Sequence, residues 1–271
     1  MYIRKRSADK RHESLIQQRG DRMNIAIITG ASSGMGMEFA RQLDHKLRKT
    51  DEIWLLARRK EPMEELARSM RTKTRAIVID MTNVKEMKQF AEVLSIGKPR
   101  ITVLVNCAGV GTHGEFTKLS NENMAAMIHL NIEALTAMTK LCLPYMRKGS
   151  RIVQFASGAA FVPQAAFAVY AASKSYVYSF SRALGAELSG RGISVTAVCP
   201  GPVNTPFLEH AYGSTSHINR LRKLTLVKTE CVVSKAIEDC KMGKSVSICG
   251  LPVKILYLAT QSIQNLLQKF V

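Results

Sequence analysis

Asn24-Ile25-Ala26-Ile27-Ile28-Thr29 runs directly into Gly30-Ala31-Ser32-Ser33-Gly34-Met35-Gly36, and this stretch decides the fold. The first six residues have the β-branched, continuously apolar character of a strand buried on both faces of a parallel sheet. After the glycines, Phe39, Ala40, Leu43 and Leu47 repeat at helical spacing. Strand, glycine turn and helix in that order let a backbone approach a pyrophosphate while the helix N-terminus receives its charge. The spacing is T-G-x-x-x-G-x-G, not the commoner G-x-G-x-x-G, so glycines that merely make a tight turn are the competing reading. On the first reading Gly30, Ser32, Ser33, Gly34, Met35 and Gly36 contact a dinucleotide.

Working outward, apolar runs alternate with helical patterns. Ile53–Ala57 forms a second strand that ends at Arg58 and Arg59. A site for NAD(H) would place an acid near this strand end to hold the ribose 2′-hydroxyl, whereas arginine accommodates a 2′-phosphate. Ala57 stands where the acid is expected, so NADP(H) is preferred over NAD(H). A helix over 62–71 leads to a third strand, Ala76–Ile79, followed by Asp80 and Met81. Ile101–Val105 is the next strand and enters Asn106-Cys107-Ala108-Gly109. A long helical stretch, 117–147, contains Asn131, whose amide is costly on an apolar face unless bonded or functional. Arg151–Ala156 delivers Ser157 at a strand end, where a cap is the plain alternative.

A helix from Val169 to Leu188 leads to a strand, Ile193–Val198, and then to Cys199-Pro200-Gly201-Pro202. Residues 203–229 lack periodicity and read as a lid carrying Phe207, Leu208 and Tyr212. A helix near 230–240, a strand at Ser245–Ile248 and an amphipathic helix from about 253 follow. The alternation predicts an α/β fold, a single-domain doubly wound Rossmann architecture over 23–271 with a predominantly parallel sheet and helices on both faces. Residues 1–22 carry seven Lys/Arg against three acidic residues and read as a basic, solvated arm, with Met23 a candidate start.

Tyr170-Ala171-Ala172-Ser173-Lys174 places a phenol and an ammonium one helical turn apart. A free phenol has a pKa of about 10, and a fixed cation nearby is expected to lower it toward the physiological range. Alone the pair is a common helix spacing.

Composition bounds the alternatives. Of 271 residues 46% are apolar and 22% charged, and no run of about 18 apolar residues suggests a transmembrane helix. Six dispersed cysteines without a C-x-x-C pair, and no signal peptide, predict reduced thiols and a cytoplasmic protein. The scattered histidines suggest no metal site. The net charge of +18 is spread along the chain without basic-aromatic interleaving. It therefore points to a phosphate-bearing cofactor or substrate in preference to nucleic acid.

Residues 23 to about 205 resemble the short-chain dehydrogenase/reductase family. The ordered marks are T-G-A-S-S-G-M-G at 29–36, Asp80, N-C-A-G at 106–109, Asn131, Ser157, Y-A-A-S-K at 170–174 and P-G at 200–201. Cys107 departs from the commoner Asn. The resemblance implies that Tyr170 is the general acid or base, that Lys174 lowers its pKa and holds the nicotinamide ribose, that Ser157 hydrogen-bonds the carbonyl oxygen, and that Asn131 holds a relay water. It further implies that Asp80 with Met81 faces the adenine, and that Asn106, Ala108, Gly109, Pro200, Gly201, Val203 and Thr205 line the cofactor. The expected activity is reduction of a hydrophobic ketone, steroid or acyl thioester, or the reverse oxidation. Ala159–Phe167, His113–Phe116 and the lid are the expected substrate walls. A homodimer or homotetramer is expected through the helices around 117–147 and 170–188. A dinucleotide-binding sensor without turnover, and an interaction protein using the arm and the C-terminal helix, are the rival readings.

Overall fold

The computed structural model describes residues 23–46, 50–212 and 226–267. The basic arm, Leu47 and the middle of the expected lid, 213–225, lie outside the described residues. Seven strands, β1 (Asn24–Thr29), β2 (Glu52–Ala57), β3 (Lys73–Val78), β4 (Arg100–Asn106), β5 (Met146–Phe155), β6 (Ser194–Val198) and β7 (Val246–Ser247), form one parallel sheet in the order 3-2-1-4-5-6-7. The order reverses between β1 and β4, which opens a crevice at their carboxyl ends.

Strand alternation sorts the core into two layers. Ala26, Ile28, Ile53, Leu55, Val103 and Val105 point to one face. There they meet Phe39, Ala40 and Leu43 of helix α1 (Gly34–Lys46), Met63 and Leu66 of α2 (Lys60–Ser69), and Val232 to Ile237 of a helix at Thr229–Lys241. Ile25, Ile27, Trp54, Leu56 and Leu104 point to the other face, against Phe90 and Leu94 of α3 (Val84–Gly97), Met138, Leu184 and Leu188. The doubly wound arrangement expected from the apolar runs is the one observed.

Several boundaries differ from expectation; β3, for one, begins at Lys73 and not at Ala76. The stretch read as one helix over 117–147 is divided into α4 (Asn121–Ile128), a π-helical turn (His129–Ala134) and α5 (Leu135–Cys142). Strand β5 begins at Met146, before the expected Arg151, because Met146 pairs with Ile101 and Arg151 with Val103, so that 147–150 bulge out. Ser150 closes that bulge, its Oγ donating to the Ile101 carbonyl at 2.7 Å and accepting from the Arg147 N–H at 3.0 Å. The long helix α6 runs Ala168–Ser189. The lid expected to be irregular contains a helix, α7 (Pro206–Tyr212), whose buried Leu208 and Ala211 hold it to the body. Helix α8 (Thr229–Lys241) and helix α9 (Leu251–Leu267) complete the order.

Candidate active site

The carboxyl ends of the strands surround one elongated cavity of about 950 Å³. At one end lies the glycine turn after β1. Gly30 has φ +67, and a Cβ there would stand 2.9 Å from the Ala108 backbone. Thr29 explains the closeness: its Oγ1 accepts from the N–H groups of Cys107 and Ala108 at 3.0 and 3.1 Å, drawing the turns after β1 and β4 together. A Cβ on Gly36 would overlap the Gly30 carbonyl oxygen, so α1 starts hard against the turn.

Beside this turn the Arg59 guanidinium donates from Nη2 to Ser32 Oγ at 3.2 Å, which fixes a cation over the loop. Asp80 accepts from Thr82 N and Oγ1 at 2.9 and 2.7 Å. Burial alone would raise its carboxyl, but those bonds and the Arg58 charge hold it below its ordinary value.

At the other end β5 and α6 bring the reactive groups together. Lys174 is buried, and its Nζ donates to the Phe155 carbonyl at the end of β5 at 2.8 Å, so the side chain pins α6 to the sheet. Tyr170, one turn earlier, hydrogen-bonds Ser157 just beyond the same strand. Ser157 Oγ also accepts from Ala159 N at 3.1 Å, so the hydroxyl is both a turn cap and a cavity group. Burial pushes the Tyr170 phenol up to about 12, against the Ser157 hydrogen bond that lowers it. Burial likewise pulls the Lys174 ammonium down to about 8, opposed by the sulfurs of Cys107 and Cys199.

Burial, and not Lys174, sets the direction of the Tyr170 shift here. The Lys174 Nζ is committed to a backbone carbonyl and lies 5.7 Å from the phenol ring centroid, and burial disfavours the charged form of each group. The consequence is a phenol held in its protonated, acid form at neutral pH.

Of the residues expected to be catalytic or to hold the cofactor, all line the cavity except Asn106 and Asn131. Asn106 is buried behind the wall, its Nδ2 donating to Thr139 Oγ1 and Gln154 Oε1, both at 2.9 Å. Its polarity serves the joint between β4, β5 and α5. Asn131 sits in the π-helical turn. Its Oδ1 accepts from Val110 N, and its Nδ2 donates to Val110 O at 2.9 Å and to Ser173 Oγ at 3.0 Å. Ser173 Oγ in turn donates to the Tyr170 carbonyl at 2.7 Å. Both amide protons of Asn131 are thus spent on positioning the turn after β4 and the start of α6.

Aromatic rings cover the phenol. Phe167 stacks on Tyr170 with centroids 4.3 Å apart, and Phe207 of α7 approaches to 5.5 Å. His113 does not line the cavity but packs on Tyr212 at 4.6 Å, while Phe116 is exposed. Sequence reasoning missed Gly111, where a Cβ would stand 2.7 Å from Phe207 Cζ and 2.9 Å from Tyr170 Cδ2. A second glycine two residues beyond Gly109 was the available signal. It also missed Val253 and Leu256, which make α9 a cavity wall and not only a neighbour of the sheet.

The glycine cradle, the two arginines and the absence of an acid at Ala57 fit a dinucleotide carrying phosphates. Residues 24–214 match the family model described as short chain dehydrogenase. The chain belongs to the short-chain dehydrogenase family. It is an oxidoreductase of that type, in a family that acts on small carbonyl or alcohol substrates. The 3-ketodihydrosphingosine reductase of Bacteroides thetaiotaomicron is 34% identical over 190 residues, 69% of this chain and 66% of that one. A short-chain dehydrogenase from Sphingobium yanoikuyae, solved in complex with NADPH, superposes with a TM-score of 0.78 at 25% identity over 92% of this chain and 96% of that one. A 3-ketoacyl-(acyl-carrier-protein) reductase from Brucella melitensis, solved with NADH, shares the fold with a TM-score of 0.70 at 24% identity over 82% and 94% of the two chains.

Gly111→Ala is expected to push Phe207 and the Tyr170 ring out of place. Turnover of a ketone substrate should fall roughly tenfold or more while dinucleotide affinity, measured by fluorescence titration, stays within twofold, since about 1 Å of misplacement is costly to chemistry.

Proposed function

We propose that the protein is an NADPH-dependent reductase of an apolar carbonyl compound. The observation that carries this reading is the convergence of Tyr170, Ser157 and Lys174 on one end of a cavity whose other end holds the glycine turn and Arg58 and Arg59. When bound there, NADPH would supply the hydride.

The residues of the chain do the rest. Ser157 Oγ–H and Tyr170 Oη–H both donate to the substrate carbonyl oxygen, where negative charge grows as the carbon is reduced. Tyr170 gives up its proton to that oxygen, the role for which its protonated state at neutral pH suits it. Lys174 in its ammonium form stabilises the phenolate left behind. Asn131 and Ser173 hold the start of α6 and the turn after β4, and so fix where the phenol sits.

Arg59, tied to Ser32, and Arg58, beside Asp80, supply the cations for a 2′-phosphate. The NADPH in the Sphingobium structure supports that choice, whereas the Brucella protein carries NADH. On the substrate side Phe167, Phe207, Leu208, Tyr212, Val253 and Leu256 offer an apolar wall suited to a ketone on a hydrophobic skeleton. The Bacteroides relative is by name a reductase of such a compound.

NADPH consumption with ketosteroids, 3-oxoacyl thioesters and simple ketones tests the reading. At least one class should be turned over, and Tyr170→Phe should lower kcat about a thousandfold while still binding NADPH. NADPH binding without turnover of any class by the native chain would favour a sensor. Arg58→Ala and Arg59→Ala should each raise KM for NADPH roughly tenfold and leave KM for NADH unchanged, because a charge-assisted phosphate contact is lost. An unchanged NADPH preference in both defeats the cofactor assignment.

A further inference from the structure

Helix α9 has two apolar faces. Val253 and Leu256 line the cavity, and the Tyr257 ring packs on Phe161 with centroids 5.3 Å apart, so one face is accounted for. On the opposite face Leu251, Ile255 and Leu258 stand at i, i+4 and i+7 with relative exposures of 69%, 58% and 53%. Leu226, 38% exposed, precedes Val227, which lies against Gly250 at the start of α9. Scattered exposed leucines are ordinary, but a stripe along one helix beside a cavity mouth marks a docking face.

We propose that this face of α9 lies on an anionic lipid surface and brings the cavity wall into the interfacial layer. Charge selects this occupant. Lys254 on α9 and Lys228 beside Leu226 are exposed, and no Asp or Glu follows Asp239 in the sequence. The chain as a whole carries +18. Basic side chains beside a strip of Leu and Ile are the combination that binds a negatively charged bilayer in the plane of its headgroups. A second copy of the chain is disfavoured, because a two-fold contact through the same stripe brings the Lys254 side chains of both copies to one interface with no acidic residue on α9 to pair with them. Among the described residues no helix is long and apolar enough to cross a membrane, so α9 lies along the surface. An apolar compound dissolved in that layer then reaches the cavity past the helix that forms its wall, without crossing water.

Sedimentation of the full-length protein with sucrose-loaded vesicles tests this without cofactor or turnover, so the result stands apart from the reductase reading. Vesicles containing phosphatidylglycerol should carry the protein down, while pure phosphatidylcholine vesicles and high salt should release it. Ile255→Glu and Leu258→Glu should each cut the bound fraction roughly tenfold, since each removes a buried apolar anchor. Thermal melting and NADPH affinity serve as checks that the fold is kept. Equal binding of the native protein and both variants, binding of neither vesicle type, or a change of oligomeric state in the variants with vesicle binding intact would each overturn the proposal, the last in favour of a second copy.

Discussion

A buried amine anchors this structure. Lys174 is 5% exposed, and its Nζ donates a hydrogen bond to the carbonyl at the end of β5. Burying an ammonium is costly unless it is bonded, and here the bond also sets the height of α6 over the sheet. Because a helix places residues four apart on one face, fixing Lys174 fixes Tyr170 one turn away, beside Ser157 at the same strand end. The cost appears as an ammonium whose pKa is pulled down to about 8, close to the pH at which such a group must work.

The surrounding network serves the same geometry. Asn131 joins Val110 to Ser173, and Ser173 holds the backbone of Tyr170, so the turn after β4 is tied to the start of α6. Thr29 ties that turn to the glycine loop, which connects the phosphate-binding end of the cavity to the proton-donating end. The aromatic cover of Phe167 and Phe207 contributes to the burial that raises the phenol's pKa. A phenol that stays protonated is suited to giving a proton to a growing alkoxide.

Much of this was legible in the residues themselves. The apolar runs at 24–29 and 101–105 and the glycine spacing predict strand, turn and crevice, because backbone sterics and burial act locally. The bulge at 147–150 was not legible: Arg147, Lys148, Gly149 and Ser150 look like a loop, and only pairing of Met146 with Ile101 draws them into the strand. Nor was the role of the two asparagines, since a buried amide serves a site or a scaffold with the same residue type. The direction of the Tyr170 shift depended on depth of burial and on where Lys174 Nζ points, neither of which spacing contains.

The central claim is that the Lys174 ammonium, and not merely its packing, supports proton delivery by Tyr170. Its depressed pKa means that the charge is present at low pH and is lost as pH rises through about 8. The decisive measurement is kcat/KM for ketone reduction against pH, which reports groups of the free enzyme, for the native chain and for Lys174→Arg. The account predicts a one-proton fall centred near pH 8 in the native chain that is absent from the arginine variant, whose cation persists to about pH 12. A native profile flat to about pH 10, or the same fall in both proteins, would contradict it.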